Sequence, residues 1–169
     1  MIVSGDRHPS SAASRRWYVS GGVISLCAAA LGSLSAVLPF IRVSGRTFTL
    51  VPSPGPGFAA RLGVNLLGRF VTPLLSLLGG IGILRSEGHR DRWGGLIVAA
   101  GAHASSLALN YWLAKPYTAG AWLAGIYLQE AAAALSGLAA VAVVGGWVLD
   151  RRLAAQPPRP DTPTTSQPT

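Results

Sequence analysis

From Val19 to Phe40 the chain carries no charged side chain, and an uncharged run of that length limits the possible folds more than any other feature. A helix rises about 1.5 Å per residue, so such a run crosses the ~30 Å hydrocarbon core of a bilayer. Three more apolar stretches follow: Leu62 to Leu84, Gly94 to Ala114, and a longer one within Ala121 to Leu149. Together they predict an all-α fold, an integral membrane four-helix bundle occupying 17–149. The expected spans are about 18–40, 62–84, 94–114 and 122–149, the last tilted or starting near Gly125. Composition agrees, since only 12% of the 169 residues are charged against about a quarter in soluble domains. One compact membrane domain is expected, with no second folded domain.

The flanks set the punctuation. Residues 1–16 are polar and small and read as a disordered tail, and 150–169, rich in Pro and Thr, as another. Trp17, Tyr18 and Trp93 stand at span ends, where aromatic rings favour the membrane interface. Ser14-Arg15-Arg16-Trp17 loosely resembles a twin-arginine export signal. The run after it exceeds the ~7–15 apolar residues of a signal, and three more spans follow, so a retained helix is expected. The loop 41–61 is the longest. Arg42 to Thr49 predicts a hairpin turning at Ser44-Gly45, and Pro52, Pro54 and Pro56 predict a stiff extended segment. Arg85 to Arg92 is a short charged loop, and Lys115 to Gly120 a turn. Pro73, near the middle of the second span, removes an amide and crowds the Arg69 carbonyl four residues back.

Orientation follows the placement of Lys and Arg. With the N-terminus inside, Arg7, Arg15, Arg16, Arg85, Arg90, Arg92, Arg151, Arg152 and Arg159 are cytoplasmic, and Arg42, Arg46, Arg61 and Lys115 are outside. Nine against four places both termini in the cytoplasm of a multi-pass protein of the inner or plasma membrane. The net charge of +8 does not indicate nucleic acid, because the arginines sit at helix ends rather than on one face. The single cysteine, Cys27, excludes an intrachain disulfide and a CxxC site. Set among apolar residues, it is expected to be a small core residue.

Each span carries a row of small or polar residues at helical spacing. The rows are Gly21, Ser25, Ala28, Gly32 and Ser35; Asn65, Arg69, Thr72, Ser76 and Gly79; Ala99, His103, Ser106 and Asn110; and Glu130, Ala133, Gly137 and Ala140. Small residues let membrane helices approach closely and polar ones bond across the contact, so four rows predict four helices facing a common axis. Arg69 and Glu130 fall roughly 5–10 Å outward of their helix centres, with Asn65, Asn110 and Gln129 in the same outer half. A charge at mid-bilayer costs on the order of 2.5–3.5 kcal/mol, and pairing offsets part of that. An Arg69–Glu130 ion pair is therefore expected, supported by Asn110 and Asn65, within a polar cluster of Asn65, Arg69, His103, Asn110, Gln129 and Glu130. Fixing helix register ranks ahead of ligand or proton traffic as its role.

Nothing points to an enzyme or a cofactor. His103 lacks a second histidine at its depth for haem, since His89 lies about 21 Å away along a continuous helix. HExxH, GxSxG and P-loop motifs are absent from the sequence. Glu87, His89 and Asp91 read as a solvated turn rather than a metal site. Gly125-Ile126-Tyr127-Leu128 opening an Ala/Gly-rich helix that ends in Asp150-Arg151-Arg152, with the Ser44-Gly45-Arg46 turn, resembles small four-helix integral membrane proteins of GC-rich bacteria. That resemblance implies an architecture and no activity. The expected role is a structural or accessory component in the lipid bilayer, bound to another membrane protein or to copies of itself. The alternative is a small oligomeric transporter or channel-like protein using the outer polar cluster.

Overall fold

The chain folds into an all-α assembly. The computed structural model describes residues 11–49, 58–114 and 121–156. Among them are four helices, α1 (Ala12–Val37), α2 (Phe58–Arg85), α3 (His89–Ala114) and α4 (Ala124–Ala154), and three short strands, β1 (Ile41–Val43), β2 (Arg46–Phe48) and β3 (Ala121–Trp122). The tail segments 1–10 and 157–169, the prolines Pro52, Pro54 and Pro56, and the turn 115–120 lie outside the described residues.

Helix ends differ from expectation where local chemistry extends them. Helix α1 begins at Ala12, inside the segment expected to be a tail, because Ser11 caps it. The Ser11 hydroxyl accepts from the Ser14 amide at 3.1 Å, satisfying one of the free N–H groups of the first turn. Helix α1 ends at Val37, and Pro39 holds the capping residue Leu38 in the extended region. At the other terminus α4 continues through Asp150-Arg151-Arg152 to Ala154. The two arginines lie in its last turn, at the negative end of the helix dipole. The charged loop between α2 and α3 shrinks to residues 86–88.

The expected hairpin forms. Strand β1 pairs antiparallel with β2, Val43 opposite Arg46 and Ile41 opposite Phe48. Ser44 and Gly45 both adopt positive φ, 48° and 78°, the signature of a two-residue turn whose twist matches the strands. Sequence reasoning did not anticipate the third strand. Ala121 and Trp122 pair antiparallel with Arg42 and Ile41, so the fourth helix starts at Ala124. The amides of Leu123 and Gly125 donate to the carbonyls of Phe40 and Pro39, each at 2.9 Å. A Cβ on Gly125 would lie 2.7 Å from Phe40 Cε2 and 2.8 Å from the Pro39 carbonyl, so the join tolerates only glycine. This sheet covers one end of the helices.

Helix α1 packs against α2 and α4, and α3 closes the ring between α2 and α4. Neighbours run antiparallel. Gly22 meets Leu84 while Gly32 meets Pro73, and Gly21 meets Val143 while Ser35 bonds Gln129. The tightest approach joins α2 to α3. A Cβ on Gly95 would sit 2.6 Å from the Gly79 carbonyl oxygen, and one on Gly79 would collide with the Gly95 carbonyl.

The ring buries many polar side chains beside its apolar ones and leaves large apolar side chains outside. Buried positions include Ser25, Ser35, Arg69, Thr72, Ser76, His103, Ser106, Gln129 and Ser136, whereas Phe70, Leu74, Leu78, Ile97, Leu138 and Val141 are each more than half exposed. Ser25 and Ser76 exchange hydroxyl-to-carbonyl bonds across the α1–α2 contact. Cys27 is exposed and so is no core residue. It follows Leu26 by one position, and successive helical residues turn by about 100°. Helices α1 and α4 are long and apolar enough to cross a membrane.

Glycine substitutions test the packing. Gly79→Ala is expected to destabilise by about 1–3 kcal/mol through overpacking. Gly101, beside which a Cβ meets nothing within 4 Å, should accept alanine with no loss, since alanine is the better helix former by up to ~1 kcal/mol. Thermal unfolding of the two purified variants in one detergent checks both, and equal effects would discard the assigned contact faces.

Candidate functional site

The charged residue of α2 lies where α1 ends. The last carbonyls of a helix have no amide partner within it, and α1 has no basic residue of its own in its last turn. Arg69 supplies the missing donor from the neighbouring helix. Its Nη2 donates to the Ser35 carbonyl and, at 3.4 Å, to that of Leu38. Its guanidinium carbon stands 3.8 Å from the centroid of the Phe40 ring, a cation–π contact worth up to about 2 kcal/mol when desolvated. Phe40 is itself fixed by the sheet and by Gly125, so the hairpin, the start of α4 and the end of α1 together form the seat for this arginine.

Ser35 extends the site to α4. Its hydroxyl reaches Gln129 Oε1 at 2.9 Å and the Gly32 carbonyl at 2.8 Å, and with one proton it serves one acceptor at a time. Arg69 and Gln129 are each only 3% exposed. Even so, among the described residues Arg69 Nε, Arg69 Nη1 and Gln129 Nε2 have no hydrogen-bond partner. One turn further along α1, Gly32 makes room for His103. A Cβ there would lie 2.9 Å from the imidazole Cε1. His103 is fully buried, and neither ring nitrogen is bonded among the described residues.

The expected Arg69–Glu130 ion pair does not form. Both side chains are described, and the ion pair found among the described residues joins His89 to Asp150. Glu130 instead accepts a bond from the Tyr111 hydroxyl at the exposed side of α3 and α4. The inward row of α4 is Gly125, Gln129, Ala132, Ser136, Ala139 and Val143, one residue out of step with the expected row of Glu130, Ala133, Gly137 and Ala140. A one-residue shift turns a helix by about 100°, and α4 is so rich in Ala and Gly that either row looks small. Arg69, Gln129 and Ser35 are thus brought together, with His103 one turn away and Glu130 apart. Asn65 and Asn110 belong to α2 and α3, and their side chains lie outside the described residues.

A second polar cluster sits at the opposite end of the ring. The Tyr18 hydroxyl donates to Asp150 Oδ2 at 3.0 Å and meets His89 Nδ1 at 3.1 Å. His89 Nε2 is 3.6 Å from the same carboxylate oxygen. Arg92 stacks on the Tyr18 ring at 4.0 Å and donates from Nε to the Ser86 carbonyl. Tyr18, near the start of its span, is buried at this end of the ring, and His89, expected in a solvated turn, is tied to both ends of the chain's helical part. The available signal was topological, since both loop and helix ends fall at one level. Among the described residues no group of three His, Cys, Asp or Glu is placed to hold a metal ion.

Losing the α1 carbonyl contacts should make Arg69→Met less stable by about 1–3 kcal/mol, while Glu130→Gln should stay within about 0.5 kcal/mol of the parent. The doubly exchanged Arg69→Glu, Glu130→Arg chain should fold no better than Arg69→Glu alone; recovery in thermal unfolding would restore the discarded pair. At the other end, Tyr18→Phe should cost about 1–2 kcal/mol by freeing Asp150 and His89. No protein-family model, curated protein or solved structure matches this chain.

Proposed function

We propose that the chain is a multi-pass cell-membrane protein with four spanning helices and both termini in the cytoplasm. In this reading it is an accessory component that associates with another membrane protein. The observation that carries the membrane reading is the placement of polarity: serine, arginine, histidine and glutamine side chains are buried in the ring beside alanine and a few large apolar residues, while many leucine, valine and isoleucine side chains and Phe70 face outward. In water that arrangement would expose apolar surface far beyond a soluble monomer's usual patch of a few hundred Å². In lipid it costs nothing, because acyl chains are as apolar as leucine. The two long apolar helices α1 and α4 and the bias of Lys and Arg to one side support the same reading.

Support for association comes from the outward glycines. Gly101 of α3 and Gly137 of α4 are exposed, and a Cβ at either meets nothing within 4 Å. Neither is needed inside the ring, and small residues on a lipid-facing surface admit close approach of another helix. A second reading, a small oligomeric transporter, has one observation in its favour: the N–H groups of Arg69 and Gln129 that have no partner among the described residues.

Cysteine labelling tests the threading. In a Cys27→Ser background, a cysteine replacing Ser44 should react with a membrane-impermeant maleimide on intact cells, and cysteines replacing Glu87 or Gln156 only after permeabilisation. Equal labelling of Ser44 and Glu87 positions would sink the topology. For association, mild-detergent capture of the tagged protein should recover a stoichiometric membrane partner. Gly101→Leu or Gly137→Leu should lose that partner several-fold without altering the melting temperature.

A further inference from the structure

We propose that Arg69 and Gln129 form a binding site for a small monoanion, a halide or a simple carboxylate, buried beneath the three-stranded sheet. The inference rests on the membrane reading above, because a low-dielectric surround is what makes an uncompensated guanidinium costly.

Charge comes first. Arg69 is buried and keeps a formal positive charge, and among the described residues no carboxylate lies within ion-pairing distance of it. Glu87, Asp91, Glu130 and Asp150 are all described; Glu130 is held by Tyr111 and Asp150 by Tyr18 and His89. The backbone carbonyls of Ser35 and Leu38 and the Phe40 ring offer partial negative charge to one part of the guanidinium only.

Donor chemistry comes second. The groups without a partner among the described residues are Nε and Nη1 of Arg69 and Nε2 of Gln129, all of them N–H donors. Both side chains are held on Ser35, Arg69 through its carbonyl and Gln129 through its hydroxyl, so the spare donors belong to one neighbourhood. Buried donors without acceptors are rare in native proteins, and a set of donors around one fixed positive charge selects an anion. The apolar wall of Phe40 and Ile126 favours a small, singly charged one over phosphate, which would bring more charge than one arginine offsets.

The test uses the full chain purified in detergent, with chloride or formate titrated against a bulky sulfonate at constant ionic strength, so that general screening is held fixed. A ligand that binds only the folded state raises stability as its concentration passes Kd. The melting temperature should therefore rise by several degrees and saturate with chloride, formate or both; the difference between the two arms separates a halide from a carboxylate. Gln129→Glu places a carboxylate beside Arg69 and should abolish the response while keeping the melting temperature of the anion-saturated parent. Arg69→Met should also lose the response, and if that variant does not fold, Gln129→Glu still decides. A helical, monodisperse parent protein that responds to neither anion would overturn the site, as would an undiminished response in Gln129→Glu. Threading is read by labelling without any anion, so the two proposals fail separately.

Discussion

A guanidinium that belongs to one helix but completes another organises the sheet-covered end of this protein. The last carbonyls of α1 have no amides to accept from, because Pro39 turns the chain away. Arg69 of α2 donates to two of them, and its positive charge lies at the negative end of the α1 dipole. The same cation rests on Phe40, which the sheet and Gly125 hold in place, and Ser35 relays the contact to Gln129 of α4. Three helices and the hairpin therefore share one polar centre. Pro73 adds to it: a proline has no amide for the Arg69 carbonyl four residues earlier, so the backbone of this turn is locally underbonded as well.

Inside the ring, close approach substitutes for apolar bulk. Gly79 against Gly95, Gly22 against Leu84 and Gly21 against Val143 bring backbones together, and serine hydroxyls cross to neighbouring carbonyls. Such contacts gain from dispersion and hydrogen bonding rather than from expelling water, which is how helices associate where the surroundings are already apolar. Two apolar clusters among the described residues, around Phe40 with Ile126 and around Tyr18 with Ile83, Leu96 and Val143, lie under the two polar ends. At the end away from the sheet, Tyr18, His89 and Asp150 tie together the start of α1, the start of α3 and the end of α4. Trp93 and Trp147 meet edge to face beside them.

Much of this was legible in the residues. Four helices, the Ser44-Gly45 hairpin and the described members of the inward rows of α1, α2 and α3 follow from period, charge gaps and turn chemistry. Ser25, Ser35, Arg69, Ser76, His103 and Ser106 are buried because each is a polar interruption at helical spacing in an otherwise apolar stretch. The sequence by itself therefore determined the helical class and where polar groups had to hide. It did not determine the rotation of α4, where alanine and glycine surround the helix and no single face stands out. The tertiary structure decided that Gln129 rather than Glu130 points inward, since Gly125 must press against Phe40 and the Pro39 carbonyl, and that contact sets the phase of everything after it. It also decided that Arg69 bonds to the open end of α1 instead of to an acid. Free carbonyls exist only once a helix has ended, and no pattern of side chains records where its neighbour's end will lie.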